Sequence, residues 1–352
     1  MKSLAVTTDH QLKIVEIPMP KIGDDCVLTK TLASGICSGT DRKILRGEFK
    51  GITQYPCLLG HEAVGEVIQV GKNVRRFKLG DRVMVPFLET DESGRYAGYY
   101  SAWSGYSEYT VARDYEAMAQ AGKGPGHPSF WDAYLTQQVL PKDIDPADGV
   151  MMITFSEVLA AIEQFGFSEK DKIAVYGAGP VGLSFIQLMR LKGIQHIISV
   201  DIQEEKREAA LQAGARMFVN GSLETVSESI RKAYPKGVDY VLDAAGINNM
   251  INEAMYFLKE NGQICVYGIC PEKSMNLSWE HGPQNWTLCF LHVPVKEKQA
   301  RAFLQIVKWV QEGKLKPSGF ISHKIPFSKL PETFEYLEKG GAAKKIVVIY
   351  DK

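Results

Sequence analysis

The sequence predicts an α/β protein of two domains, a β-rich barrel followed by a doubly wound parallel sheet. Short apolar or alternating runs separated by Gly, Asp and Asn fill the chain to about Ile144, and from about Val150 buried strands alternate with helical patterns. A chain of 352 residues is long enough for two ordinary domains. We therefore assign residues 1–150 to the first domain and 151–290 to the second.

The first region contains several candidate strands of a barrel-like domain. They are "CVLTKTLASGIC", "HEAVGEVIQVG", "DRVMVPF" and "YSEYTVA", and "VGKNVRRFKLGDRVMV" has the pattern of strand, turn and strand. The tail predicts a helix at "KQARAFLQIVKWVQEG" and a final strand at "KIVVIYD". Because a separate tail domain would be too small for a good core, we expect residues 291–352 to complete the first domain.

The second region alternates strands with helices. Candidate strands are "KIAVYGAG", "HIISVD", "RMFVN", "VDYVLDAAG" and "QICVYG", and helical patterns such as "PVGLSFIQLMRLKG" and "EEKREAALQAG" lie between them. This alternation predicts a parallel sheet with helices on both faces.

Residues 119–143 fit neither pattern, because they are rich in Gly, Pro and aromatic residues. We expect a surface insertion or an extended loop. Its aromatic residues Phe130, Trp131 and Tyr134 could line a pocket, bury a subunit contact or pack against one another. Trp103, Tyr106 and Trp286 are further candidates for the walls of a substrate pocket.

Composition narrows the function classes. Lys plus Arg and Asp plus Glu number 41 each, which argues against a nucleic-acid or anionic-membrane partner recruited by bulk charge. No apolar run is long enough to cross a bilayer, and the N-terminal stretch lacks the core of a signal peptide. The six cysteines are scattered without a CxxC pair, which suits a reducing compartment. We expect a cytoplasmic protein with a small-molecule partner.

The stretch "YGAGPVG" predicts a dinucleotide site. Gly177, Gly179 and Gly182 have the spacing GxGxxG, which has meaning here because it follows a strand and opens a helix. The first glycine permits the tight turn, the second lets the backbone approach a pyrophosphate, and the third lets helix and strand pack closely. With Pro180 and Val181, these residues begin a helix whose free N–H groups attract phosphate.

Asp201 ends the next strand, about twenty residues further on, where a carboxylate accepts the ribose hydroxyls. It would repel a 2′-phosphate, so NAD is favoured over NADP. Lys206 and Arg207 are close in sequence, and a nearby cation can accommodate that phosphate. The alternative for Asp201 is an N-cap of the following helix.

"GICSGTD" and "LLGHEAVG" contain the residue types of a metal site. Cys37, His61 and Glu62 offer a thiolate, an imidazole and a carboxylate, which are suitable zinc ligands. A zinc ion polarises an alcohol oxygen and lowers the pKa of its hydroxyl, which a nicotinamide ring alone does not do. Taken singly, Cys37 is better explained as a small buried hydrophobic residue and His61 as a satisfied core histidine, but together with the glycine motif the set favours a metal site.

These segments, in this order, resemble the medium-chain dehydrogenase/reductase superfamily, specifically its zinc-dependent polyol and sugar dehydrogenases. The resemblance is carried by "GICSGTD", "LLGHEAVGEV", "VGKNVRRFKLGDRV", "YSEYTV" and "YGAGPVG" and covers nearly the whole chain. It implies a GroES-like catalytic domain, a Rossmann domain, an active site in the cleft between them, and a homo-oligomer, either a dimer or a tetramer.

The resemblance also implies residue roles. Cys37 and His61 bind zinc directly, Glu62 is a ligand or sits beside the metal, and Thr40 passes the substrate proton outward. Gly268 and Ile269, after the strand "QICVY", lie near the nicotinamide.

The sequence departs from the family pattern at three places. Two residues rather than one separate Cys37 from the Thr40–Asp41 pair, so Ser38 is an alternative relay. Near the position of a further ligand stand Met152 and Glu157, of which only Glu157 is a carboxylate. "FLETDESGRYAGYYSAWSGYSEY" has no cysteine, so we predict one catalytic zinc and no structural zinc.

The leading function is zinc-dependent hydride transfer between NAD and a secondary alcohol or ketone, with a polyol, sugar or sugar derivative as the substrate class. A second hypothesis is a zinc-free, NADPH-dependent enone or quinone reductase of the same superfamily, against which Cys37, His61 and Glu62 argue. A third is a non-catalytic nucleotide-binding protein on the same scaffold, which would bind NADH without turnover.

Overall fold

Chain contacts divide the protein into two units in a computed structural model that describes residues 1–339 and 344–351. The first unit comprises Met1–Thr154 and the chain from Lys296 onward. The second unit comprises Phe155–Val295.

The strands are short in the first part of the chain and form a regular series in the middle. In chain order they are β1 (Lys2–Val6), β2 (Leu12–Glu16), β3 (Cys26–Ile36), β4 (Cys57–Leu58), β5 (Ala63–Val70), β6 (Arg82–Met84), β7 (Arg95–Tyr96), β8 (Tyr99–Ser101), β9 (Tyr109–Arg113), β10 (Val139–Leu140), β11 (Lys172–Tyr176), β12 (His196–Asp201), β13 (Met217–Asn220), β14 (Val238–Asp243), β15 (Leu258–Val266), β16 (Trp286–Phe290), β17 (Ile321–Pro326) and β18 (Lys345–Ile349).

The helices connect these strands, and the longer ones lie in the middle and towards the end of the chain. They are α1 (Ser38–Leu45), α2 (Tyr115–Gln120), α3 (Pro146–Phe165), α4 (Pro180–Leu191), α5 (Arg207–Ala213), α6 (Val226–Ala233), α7 (Asn249–Ala254), α8 (Lys296–Gln311) and α9 (Leu330–Glu338). Short 3-10 helices occur at Asp132–Thr136, Glu204–Lys206, Pro317–Phe320 and Phe327–Lys329.

The first unit is built on two sheets of mostly antiparallel strands. One sheet has the order β2-β1-β4-β8-β7, and the other has the order β10-β6-β5-β3-β18-β17, with β9 paired to β3. Strand β3 is the centre of the second sheet, because it pairs with β5, β9 and β18 along its length. The last strand of the chain therefore lies beside one of the first.

The second unit is a parallel sheet of order β13-β12-β11-β14-β15-β16. The predicted alternation of strands and helices is confirmed, and with it the doubly wound sheet. Strand order reverses between β11 and β14, and in such sheets ligands bind outside the carboxyl ends of the strands at this reversal. The glycine-rich turn follows β11, so it lies at that point.

Each unit buries its own apolar core. The core of the second unit includes Val200, Val241 and Phe257, and that of the first includes Leu4, Ile44 and Phe334. Strand β12 is buried at consecutive positions from Ile197 to Asp201, as expected for an inner strand of a parallel sheet covered on both faces. Within the described chain, no helix combines the length and the apolar character that a bilayer span requires.

Gly182 provides a test of this packing. A Cβ atom there would overlap the carbonyl oxygen of Gly177, whereas a Cβ at Gly179 meets no described atom within 4 Å. We expect Gly182→Ala to lower the free energy of unfolding by about 1–3 kcal/mol, the usual effect of overpacking. Gly179→Ala, the matched control, should leave the thermal midpoint followed by circular dichroism unchanged. Equal midpoints for both variants would contradict the assignment.

Candidate active site

Three residues with metal-binding side chains converge in the first unit. Cys37 follows β3 and occupies the N-cap position of α1, and His61 and Glu62 directly precede β5. Pairing of β3 with β5 brings them together, and Gly35 N–H donates to the Glu62 carbonyl oxygen at 2.7 Å. One ligand atom from each of Cys37, His61 and Glu62 lies within 4.8 Å of the others.

Asp41 lies against both the backbone of Cys37 and the imidazole of His61. It is fully buried, and its Oδ2 accepts from the Cys37 N–H at 3.0 Å and from the Tyr106 hydroxyl at 2.6 Å. Burial and the Asp41 carboxylate raise the pKa of Tyr106, which keeps its hydroxyl a donor. Tyr106 was expected on a pocket wall; that expectation is wrong, because its ring is fully buried and its hydroxyl holds Asp41.

The imidazole of His61 is oriented towards the same carboxylate. His61 Nδ1 lies 3.5 Å from Asp41 Oδ1, and both atoms are buried without a well-formed hydrogen bond to any described residue. Burial would lower the pKa of His61, but Asp41 and Cys37 outweigh it and raise that pKa well above its usual value. A metal ion bound through the other ring nitrogen would therefore displace a proton and leave Nδ1 to donate to Asp41.

Glu62 is held by a buried ion pair. Lys345 Nζ donates to Glu62 Oε1 at 2.8 Å and to Oε2 at 2.6 Å, and Thr154 Oγ1 donates to Oε1 at 3.1 Å. The two charged side chains are only 5% and 4% exposed. Burial would lower the pKa of Lys345, but the facing Glu62 carboxylate raises it, so the lysine stays charged.

Strand pairing explains how Lys345 reaches this position. It begins β18, and the next residue, Ile346, is the antiparallel partner of Ile36 on β3. Lys345 therefore lies beside the end of β3 from which Cys37 extends. Nothing in the sequence indicated this lysine, because 283 residues separate it from Glu62.

The donor set fits a divalent cation. Thiolate, imidazole and carboxylate are the ligand types that zinc takes in proteins. Metal binding removes the protons of a thiol and an imidazole, and Cys37, Asp41 and Glu62 would then carry three negative charges against the one positive charge of Lys345, a difference that a divalent ion balances. Gly35 leaves room for this group, because a Cβ there would overlap Glu62 Oε2.

The remaining candidates lie on α1 and α3. Ser38 is the exposed first residue of α1, and Thr40 is partly buried in the first turn of the same helix. Met152 is buried on α3 in the first unit. Glu157 is partly buried on the part of α3 that belongs to the second unit. Within the described residues, the metal-binding group consists of Cys37, His61 and Glu62.

The glycine-rich turn requires glycine at two of its three glycine positions, Gly177 and Gly182. Gly177 has φ 98°, a left-handed conformation that glycine adopts without strain. Gly179 is the N-cap of α4, with open space where a Cβ would point, and Pro180 is the first residue of that helix. Val181 is partly buried in its first turn, and Gly182 packs against the carbonyl of Gly177.

Asp201 fixes this turn to the end of β12. Its Oδ2 accepts from the Ala178 N–H at 2.7 Å and from Lys206 Nζ at 3.0 Å, and its Oδ1 accepts from the Gln203 N–H at 3.1 Å. The carboxylate is therefore part of the turn and is paired with the lysine that sequence reasoning singled out. The next residue, Ile202, is apolar and 68% exposed.

Gly268 and Ile269 follow β15 and approach the loop after β14. The Gly268 N–H donates to the Asp243 carbonyl oxygen at 2.9 Å. A Cβ at Gly268 would overlap the backbone nitrogen of Gly246, so this close approach requires glycine. Both loops stand at the carboxyl ends of adjacent strands in the sheet, on the same edge as the glycine-rich turn.

Two family models match the chain, one in each region. Residues 23–121 match the alcohol dehydrogenase GroES-like domain, and residues 180–291 match the zinc-binding dehydrogenase domain. Together they span more than half of the sequence. The first match contains the metal-binding group, and the second begins at helix α4, directly after the glycine-rich turn. The chain belongs to the zinc-dependent medium-chain dehydrogenase/reductase superfamily. The resemblance drawn from the sequence motifs is thereby confirmed.

Two curated dehydrogenases match this chain along almost their whole length. Sorbitol dehydrogenase of Bombyx mori is 26% identical over 350 residues, covering 96% of this chain and 95% of the relative. D-arabitol-phosphate dehydrogenase of Enterococcus avium is 26% identical over 348 residues, covering 96% and 94%.

Solved structures share the fold. A zinc-binding dehydrogenase from Sinorhizobium meliloti 1021 bound to NADP has a TM-score of 0.78 at 24% identity, covering 99% of this chain and 98% of that one. A short chain alcohol dehydrogenase from Escherichia coli CFT073 complexed with NADH has a TM-score of 0.79 at 23% identity, covering 99% of both chains. The predicted GroES-like and Rossmann architecture is confirmed.

The buried pair predicts a large stability effect. Lys345→Met would leave Glu62 buried without its cation, and we expect the free energy of unfolding to fall by about 3–5 kcal/mol. The double variant Glu62→Gln with Lys345→Met should recover much of that loss, because no uncompensated charge remains. Urea denaturation of the wild type, the single variants Lys345→Met and Glu62→Gln, and the double variant measures the coupling between the two residues.

A matched control is Lys259→Met, which breaks the pair with Asp239, whose two side chains are 32% and 25% exposed. Exposed pairs contribute at most about 1 kcal/mol, so this variant should be nearly neutral. If Lys345→Met were as mild as Lys259→Met, the buried pair would not have the role assigned to it.

Proposed function

We propose that this protein transfers hydride between NAD and a secondary alcohol or ketone of the polyol or sugar class, with one catalytic zinc ion. The observation that carries the proposal is the convergence of Cys37, His61 and Glu62 in a member of a zinc-binding dehydrogenase superfamily. Sorbitol and D-arabitol-phosphate dehydrogenases among the relatives support the substrate class. We assign the metal site to the first unit and the dinucleotide site to the second.

Zinc, when bound, supplies a Lewis acid that stabilises negative charge on an alcohol oxygen. Cys37 and His61 are proposed as its ligands, with Asp41 orienting the imidazole. Because both oxygens of Glu62 accept from Lys345, we assign Glu62 the role of a charge beside the metal that becomes a ligand only when it moves away from the lysine. Thr40, or Ser38 at the exposed start of α1, would carry the substrate proton outward.

The dinucleotide site is proposed at the reversal point of the parallel sheet. The N-terminus of α4, from Gly179 and Pro180, would receive the pyrophosphate on free N–H groups. Asp201 would face the adenosine ribose and disfavour a 2′-phosphate, since Lys206 is already paired with it. Gly268 and Ile269 would border the nicotinamide.

The first test is Cys37→Ala on metal-quantified protein. We expect it to lose most of its bound zinc and at least a hundredfold, to order of magnitude, in kcat/KM across a panel of polyols and sugars with NAD, because a Lewis acid is worth several kcal/mol in such a reaction. Chelation of the wild type should have the same effect. Measurements are zinc per chain by plasma mass spectrometry and initial NADH formation.

Cys289→Ala is the matched control, because Cys289 lies on β16 outside the metal-binding group. It should keep both zinc and rate. Full activity in Cys37→Ala or after chelation would refute the metal assignment. Binding of NADH by the wild type without turnover of any alcohol would favour a non-catalytic role instead.

The second test concerns cofactor choice. Asp201→Asn keeps an acceptor for the Ala178 N–H and removes the charge, so we expect the NAD to NADP ratio of kcat/KM to fall about tenfold or more. Lys206→Met should raise the NAD to NADP ratio of kcat/KM, because it removes a cation that can approach the 2′-phosphate of NADP. A wild type that prefers NADP, or an unchanged ratio in Asp201→Asn, would contradict the role of Asp201.

A further inference from the structure

A cavity of about 420 Å³ opens in the first unit and has two kinds of wall. Its lining combines aromatic rings with an ion pair. The residues that matter here are Phe87, Trp103, Trp131, Tyr134, Glu89 and Arg113. Its volume lies within the range of about 300–1,000 Å³ found for small-ligand sites.

Trp103 connects this cavity to the metal-binding group. Its ring centroid lies 5.2 Å from that of His61, and the same side chain lines the cavity. Trp103 and Ser104 have φ values of 66° and 65°, which are strained for residues other than glycine. The hydroxyl of Ser101 accepts from the Trp103 N–H at 3.0 Å and helps hold this conformation. The cavity is therefore positioned to hold the part of a substrate that does not react.

The aromatic wall is continuous rather than cage-like. Phe87 packs against Trp131 at 4.9 Å between centroids and against Tyr134 at 5.9 Å, and Trp131 meets Tyr134 at 6.2 Å. Phe87 and Tyr134 lie nearly parallel to each other, whereas Trp131 meets them at 64° and 79°, so neither of these two rings stacks on the indole face. Trp131 remains 43% exposed, although it belongs to this cluster. Two of the alternatives given for residues 119–143 are both observed, because Trp131 and Tyr134 pack against each other and also line the cavity.

The ion pair removes the positive charge that an anionic substrate would need. Arg113 Nη2 donates to Glu89 Oε2 at 2.8 Å, and its Nη1 donates to Asp25 Oδ2 at 3.0 Å. Two carboxylates thus face one guanidinium, and in the described part of the chain Arg113 and Glu89 are the charged residues of the cavity lining. A phosphate group would meet net negative charge here, whereas neutral hydroxyls can exchange hydrogen bonds with both partners.

We infer that this cavity selects an uncharged alcohol built on a sugar-like ring, such as a pyranoside or a cyclic polyol, with Trp131 as the stacking platform. The C–H face of such a ring is apolar and slightly positive, so it packs on the negative face of an indole. Its hydroxyl edge reaches Glu89 and Arg113. The inference rests on the proposed function and narrows its substrate class.

Two other classes fit the lining less well. A polyol phosphate would meet Glu89 and Asp25 without a cation left to bind it. An aromatic alcohol would match the rings but would cover the Glu89–Arg113 pair without offering it hydrogen bonds, which is unfavourable.

The experiment compares probes of each class with the zinc-loaded protein. Methyl glucopyranoside and myo-inositol are uncharged rings, sorbitol is an open chain, glucose 6-phosphate is a charged ring, and benzyl alcohol is an aromatic alcohol. Initial rates with NAD give kcat/KM, and calorimetric titration without nicotinamide gives binding independently of turnover. We expect the uncharged rings to exceed the other probes about tenfold in kcat/KM.

Substitutions then test the platform. Trp131→Ala should raise KM for the rings about tenfold with kcat within about twofold, and Trp131→Phe should retain most of the affinity. The control is Trp279→Ala in the second unit, where the residue is 62% exposed and outside the cavity. Glu89→Gln should improve glucose 6-phosphate relative to methyl glucopyranoside, because only Asp25 then opposes Arg113 and the net negative charge that repels a phosphate is removed.

Each result decides the inference. Preference for sorbitol, glucose 6-phosphate or benzyl alcohol would overturn it, as would equal effects of Trp131→Ala and Trp279→Ala. If the protein oxidises none of the probes, the proposed function fails. Calorimetric binding of the rings then tests the cavity independently of turnover. Ring binding that Trp131→Ala weakens supports the assignment, and absence of ring binding overturns it.

Discussion

The buried ion pair between Lys345 and Glu62 is the interaction on which the candidate active site depends. It joins the first residue of β18 to the residue before β5, and both strands flank β3, the strand that leads to Cys37. Removing two charges from water is unfavourable unless each is well paired, and here the lysine satisfies both carboxylate oxygens. The pair therefore depends on the alignment of β5, β3 and β18, and it contributes to the charge around Cys37 and His61.

The two proposed sites have opposite electrostatic character. Around Cys37 and His61, a thiolate and two carboxylates would face one lysine once a metal had displaced the thiol and imidazole protons, and a divalent ion would make the group neutral. At the start of α4, where no described side chain caps the helix, the helix dipole would favour a phosphate, and we propose that Asp201 restricts which nucleotide fits. A positive ion and a negative pyrophosphate are thus assigned to separate units, each bound by groups of the opposite sign.

Substrate selection is assigned to a third set of residues, which neither site uses directly. Trp103 stands in a strained turn beside His61, and Trp131 comes from the segment that fitted neither sequence pattern. Loops of this kind vary without disturbing a sheet, since few backbone hydrogen bonds depend on them. We infer that the rings select the substrate by its shape and that the ion pair of Glu89 with Arg113 selects it by its charge.

Local signals in the sequence were sufficient for the fold and for the short-range parts of the sites. Period-two and helical patterns indicated the two regions, and the GxGxxG turn required glycine for reasons that act within six residues, between Gly177 and Gly182. Cys37, His61 and Glu62 were suggested by residue chemistry and by the order of the motifs. Only the tertiary structure could supply Lys345, the function of Tyr106 beneath Asp41, and the place of Trp131 beside Phe87. Those contacts join distant segments through strand register and core packing, which leave no local pattern in the chain.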